Sequence, residues 1–216
     1  MKEKKVIDFY MICHKLKNTM RTGWLNWHID AKRIESVAEH VYGTQMLAIA
    51  MKSEYDEFKD LDILKVIYML AIHELGETII GDIPMGSISK EEKMNIEHKA
   101  VHELLKPLLD SDKIEKIWLE FDNQESKEAQ FAYFCDKLEC DIQAKIYDET
   151  TIIDLNKQDV NSTYSDEVKE YLDKYKDCKH RWSSYWLKLD QKYINYPKEF
   201  KDISEYLFEN DITNED

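Results

Sequence analysis

Between Ile63 and Ile72 the chain reads Ile-Leu-Lys-Val-Ile-Tyr-Met-Leu-Ala-Ile, with Lys65 as its only charge, and runs straight into His73 and Glu74. No other stretch limits the fold as much. A helix this apolar is normally buried on all sides. Its surroundings are expected to be helical too, because five Gly and three Pro in 216 residues leave little punctuation for many short strands. The run ends among polar groups: His73, Glu74, Glu77 and Asp82 lie close together. Polar side chains at the end of a buried helix are costly unless something satisfies them. A metal ion is one such partner and a hydrogen-bonded core histidine is the other. The carboxylate directly after His73, and another three residues on, favour the functional reading.

The rest of the chain reads as further helices, so the expected fold class is all-α. Residues 3–18 have an amphipathic spacing, and residues 19–35 read as a loop. Ser36-Val-Ala-Glu39 is a capping box. The helix it opens carries Val37, Val41, Thr44, Ala48 and Met51 on one face, with His40 beside them in the first turn. The positive end of the helix dipole there disfavours imidazolium and leaves the neutral ring that ligates metal. The buried helix is expected over 61–74, followed by a turn through Gly81-Asp82-Ile83-Pro84. A second capping box, Ser89 to Glu92, opens a charged helix to about Leu105. Its His98 and His102 have a chelating i, i+4 spacing, but no third ligand is evident nearby, so they are read as a solvated face. Helices over 112–122 and 126–148 follow. In the second, Asp136 falls on the stripe of Ala129, Ala132 and Cys140, and an acid there is seldom unpaired. Residues 149–164 read as a surface loop, and 165–176, 178–194 and 197–209 as three more helices. Residues 1–150 are expected to form the core, and 151–216 a helical extension packed on the same domain.

The net charge of −14 argues against a nucleic-acid polymer as partner but leaves room for a single nucleotide in a local positive pocket. Arg21, Arg33 and Arg181 are the only arginines, and two of them precede His40. Cys13, Cys135, Cys140 and Cys178 lack disulfide or zinc-ribbon spacing and read as the reduced thiols of a cytoplasmic protein. The N-terminus carries Asp8 and His14 within its apolar part, which suits an amphipathic helix rather than a signal peptide. No apolar window is long enough to span a membrane.

His40, His73-Glu74 and Asp136 form an ordered H…HE…D pattern. With Arg21-Thr-Gly-Trp24, Glu35 to His40, Glu77, Gly81-Asp82-Ile83, Lys90-Glu-Glu-Lys93 and Cys135-Asp136-Lys137-Leu138, it resembles the HD-domain phosphohydrolases, and among them the 5′-deoxynucleotidase branch, over residues 10 to about 150. Glu74 stands where the family signature has Asp. The resemblance implies an HD-domain helical bundle with additional C-terminal helices, and a homodimer. It implies one divalent metal ion (Mn, Co, Mg, Zn or Fe) on His40, His73, Glu74 and Asp136. It further implies Glu77 as the essential catalytic acid and Asp82 as a second catalytic acid of the pocket, Arg21 on the phosphate, and Trp24 crowding the 2′ position of the sugar. The reaction implied is hydrolysis of a nucleoside 5′-monophosphate. Two alternatives stand beside it: an HD phosphohydrolase on another small phosphate ester, and a non-catalytic nucleotide-binding HD protein.

Overall fold

The apolar run forms helix α4, Ile63–Ile72. Asp62 opens it by accepting a hydrogen bond from the Lys65 amide at 3.1 Å, which satisfies one of the orphan donors of the first turn. The helix stops two residues before the expected Glu74. The chain then tightens into three-residue turns, with Leu75 N donating to Ile72 O at 3.0 Å and Glu77 N to Glu74 O at 3.1 Å. One expectation fails: α4 is not buried on all sides. Val66, Met69 and Leu70 are buried, but Leu64 is 79% and Tyr68 41% exposed. The helix packs with one face on α3 (Val37–Glu54) and α7 (Ser111–Asp122) and leaves the other to solvent.

The structure is a computed structural model describing residues 1–83, 88–158, 161 and 163–213, with Lys90 described by its backbone alone. Pro84, the last residue of the expected turn, lies outside these. Among the described residues the regular structure is helical, apart from one isolated antiparallel bridge between Met20 and Ser36, and no helix is long and apolar enough to cross a membrane.

The chain divides into two compact units, and the division falls within helix α8 (Lys127–Thr150). The first holds residues 1–22 and 35–135. Its helices are α1 (Lys2–Cys13), α3, α4, the short α5 (Glu77–Ile80), α6 (Lys90–Leu105), α7 and the first part of α8. The Ser36 capping box forms in both directions: Ser36 Oγ accepts from Glu39 N at 3.4 Å, and Ser36 N donates to Glu39 Oε2 at 2.9 Å. Ser89 caps α6 by accepting from Glu92 N at 3.1 Å. A core of Leu75, Val101, Leu104, Leu105 and Trp118 joins the end of α4 to α6 and α7, and Phe9 and Ile12 of α1 pack against it.

The second unit holds residues 23–34 and 136–216. It contains most of α2 (Thr22–Asn26), a short helix within the stretch read as a loop, and α9 (Asp166–Lys174), α10 (Arg181–Tyr193) and α11 (Lys198–Glu209). Its core is aromatic: Trp24, Trp27, Tyr147, Trp182 and Tyr185 pack with Ala144, Val168 and Leu172. The stretch expected as a surface loop contributes to this interior. Gln158 is buried and donates to the carbonyls of Trp27 at 3.1 Å and Asp154 at 3.0 Å. Buried backbone carbonyls need donors, and a polar side chain supplies them here.

Candidate active site

The capping box fixes where α3 begins, and so places His40 in its first turn, fully buried. His73 sits where α4 ends. Its Nδ1 is 2.7 Å from the carbonyl oxygen of Leu70. A carbonyl can only accept, so in the neutral ring the proton is on Nδ1 and Nε2 presents a lone pair. That Nε2 lies 3.5 Å from Glu74 Oε1, and His40 Nε2 lies 3.8 Å from the same oxygen. The two rings meet edge-on, with centroids 5.6 Å apart. One ligand atom from each of His40, His73 and Glu74 lies within 4.8 Å of the other two. Two imidazoles and a carboxylate are a donor set for a divalent cation. A second ring nitrogen tied to a backbone carbonyl is how metal-bound histidines are usually oriented. The residues fit an ion.

Arg21 reaches the same carboxylate, with Nη1 donating to Glu74 Oε1 at 3.3 Å. Its backbone is held by a short antiparallel pairing: Arg21 N donates to Glu35 O at 3.0 Å and Val37 N to Thr19 O at 2.8 Å. The arginine is thereby fastened beside the start of α3, whose first turn carries His40.

Glu77 opens α5 and is buried. Its Oε2 has no hydrogen-bond partner among the described residues. Burial first, then the carboxylates of Glu74 and Asp82, push its pKa up to about 10, against the opposing pull of Arg21 and Lys93. In the metal-free protein Glu77 is therefore held protonated at neutral pH. Asp82 follows Gly81, whose φ of +75° with ψ of 172° favours glycine and turns the chain out of α5. The Asp82 carboxylate accepts from the Thr22 amide, while Thr22 Oγ1 donates to Asp82 O at 2.8 Å. The sequence offered no independent role for Asp82, and the structure supplies one: it holds the residue next to Arg21.

Two residues escaped sequence reading. Trp118, on α7, donates its indole N–H to the backbone carbonyl of His73 at 3.1 Å. Phe121, also on α7, packs its ring 5.3 Å from that of His73. His98 and His102 do not chelate together: His98 Nε2 is 2.7 Å from Asp122 Oδ2, and His102 Nδ1 is 3.1 Å from Glu115 Oε1.

The first unit thus brings together Arg21, His40, His73, Glu74, Glu77 and Asp82. Trp24 and Asp136 belong to the second. Asp136 is buried on α8, with Lys137 Nζ 2.8 Å from its Oδ2. Trp24 is 2% exposed, its ring fixed against Tyr147 at 5.5 Å and Trp186 at 5.1 Å between centroids.

The profile of the HD-domain family matches residues 13–181. The chain belongs to the HD-domain family. This HD-domain chain is 34% identical over 149 residues to the 5′-deoxynucleotidase HDDC2 of Dictyostelium discoideum, a match covering 66% of this chain and 77% of that one. The human 5′-deoxynucleotidase HDDC2 is 31% identical over 150 residues, covering 68% and 70% of the two chains. Among solved structures, the PH0347 protein of Pyrococcus horikoshii shares the fold with a TM-score of 0.66 at 22% identity, over 94% of this chain and 98% of its own. The motif resemblance and the all-helical HD fold are both borne out.

Proposed function

We propose that this HD-domain protein hydrolyses nucleoside 5′-monophosphates, preferring deoxynucleotides, to nucleoside and phosphate. The observation that carries the reading is the convergence of His40, His73 and Arg21 on one Glu74 oxygen, beside a carboxyl held protonated at Glu77. The relatives named 5′-deoxynucleotidase supply the substrate class. His40, His73, Glu74 and Asp136 would hold one divalent ion, with Mn, Co, Mg, Zn and Fe as the candidates. Such an ion supplies a Lewis acid for the phosphate and a water of lowered pKa. Arg21 neutralises phosphate charge through its planar fork of donors. Glu77 delivers its proton to the departing 5′ oxygen. Asp82 keeps Arg21 in place through Thr22. Trp24, pinned among the aromatic rings of its own unit, is the residue that the family resemblance assigns to crowding the 2′ position of the sugar.

Phosphate release from deoxy- and ribonucleoside mono- and triphosphates, with each candidate metal added separately, tests this. Deoxymonophosphates should turn over fastest and triphosphates not at all. Equal turnover of dAMP and AMP would remove Trp24 as a selector and leave a general nucleotidase. Tight nucleotide binding without hydrolysis under any metal would make the protein a binding module.

The reading includes a cytoplasmic homodimer. Leu64 and Tyr68 on α4, and Tyr42, Met46 and Ile49 at i, i+4, i+7 on α3, form exposed apolar stripes on two packed helices. With a net charge of −14, like copies repel over most of their surface, so association is favoured on uncharged stripes such as these. Leu64→Glu together with Tyr68→Glu should give a monomer in sedimentation equilibrium. An unchanged mass would place the interface elsewhere.

A further inference from the structure

Lys93 lies on α6, one turn before Glu97, and their side chains pair at 3.4 Å between Nζ and Oε1. That turn of α6 lies against the residue preceding Glu77. A Cβ added to Gly76 would sit 3.3 Å from Glu97 Cγ. Close approach of backbone at Gly76 therefore brings the Lys93–Glu97 turn up to the start of α5. Arg21 and Lys93 are both cations whose field opposes the acids around Glu77. Glu97 is in the same field, raised by burial and by Glu74 among its neighbours.

Arg21 is already engaged with Glu74, and beside a divalent ion on Glu74 a phosphate dianion still meets the carboxylate of Asp82, so a further cation at the phosphate would add to its binding. Lys93 can respond. Its side chain is 36% exposed and that of Glu97 18%, and a partly exposed i, i+4 pair is weakly held. The 3.4 Å separation is longer than a charge-assisted hydrogen bond. A lysine ammonium on a flexible stem can exchange such a partner for a phosphate oxygen at little cost.

We propose that Lys93 is a second phosphate-binding residue, parked on Glu97 in the free protein and transferred to the 5′-phosphate when substrate enters opposite Arg21. The proposal rests on the monophosphate-hydrolysis reading given above. It assigns Lys93 to ground-state binding, with no part in proton transfer.

The test compares Lys93→Met, Lys93→Arg and Glu97→Gln in the full, metal-loaded chain. KM for dAMP, inhibition by inorganic phosphate and metal content are measured for each. Lys93→Met should raise both KM and the inhibition constant by about tenfold or more, the loss of one charge-assisted contact, with metal content unchanged. Lys93→Arg should restore most of the affinity. Glu97→Gln removes the parking partner but keeps the ammonium, so phosphate should bind as tightly as before or tighter. Equal weakening by Lys93→Met and Glu97→Gln would show that the pair only shapes α6 and would overturn the proposal. An unchanged phosphate constant in Lys93→Met would do the same. If the wild type hydrolyses no monophosphate, the functional reading fails separately, and calorimetric titration with inorganic phosphate still decides Lys93. No phosphate binding by the wild type in that titration would overturn both.

Discussion

His73→Ala is expected to abolish binding of the divalent ion, whereas His98→Ala should leave it intact. Both histidines face a carboxylate, but their geometries differ. His98 Nε2 is 2.7 Å from Asp122 Oδ2, a hydrogen bond complete in itself. His73 gives its Nδ1 proton to Leu70 and presents a lone pair toward Glu74 Oε1, with His40 Nε2 close to the same oxygen. Two acceptors facing one another are satisfied by a cation between them. Changing a residue that merely orients a ligand typically costs 10–100-fold in metal affinity, so losing the ligand itself should cost more than about 100-fold. Metal analysis after reconstitution checks this, with about one ion per chain expected in the wild type. Retention of the ion by His73→Ala and its loss from His98→Ala would mean the site lies between α6 and α7 instead.

Glu77→Gln should lower kcat by roughly 10²–10⁴-fold, the usual contribution of general acid catalysis, while metal content stays the same. Glutamine keeps the size and polarity of the side chain but has no carboxylic proton to deliver. A second readout follows from the raised pKa. In the metal-free protein Glu77 titrates near 10 instead of the ordinary 4.5, so the folded state binds a proton that the unfolded chain releases. The stabilisation is whole below pH 4.5, the unfolded value, and declines as pH rises toward 10, the folded one. The slope is up to about 1.4 kcal/mol per pH unit. Glu77→Gln should flatten that slope and raise the melting temperature of the metal-free protein at neutral pH. Unchanged kcat would remove Glu77 as the acid. An unchanged pH slope of stability would show that its environment does not hold it protonated.

Much of this was legible in the sequence because the signals were local. The Ser36 capping box lies within four residues, and it fixed both the start of α3 and the position of His40. The apolar run located α4 and, at its end, His73 and Glu74. Burial was misjudged there, because composition records how apolar a helix is but not how many neighbours cover it; Leu64 and Tyr68 remain exposed. What stayed hidden was long-range and specific. Nothing along the chain ties Thr22 to Asp82, Trp118 to the carbonyl of His73, or Gln158 to that of Trp27. Each depends on one polar atom meeting another after the helices have packed, and apolar periodicity does not report where the polar atoms of a stripe point. The motif resemblance named Asp82 as important, but only the folded chain shows what its carboxylate holds.

The bonds between Thr22 and Asp82 join residues sixty positions apart. In polymer terms they close a ring of chain, and His40, His73, Glu74 and Glu77 all lie on its circumference. Closing so long a ring has an entropic cost that grows only slowly with its length, so the two contacts need not be strong individually to be useful. Their effect is collective. While the ring is shut, Arg21 and the acidic turn keep one fixed separation, and the side chains between them inherit a common frame.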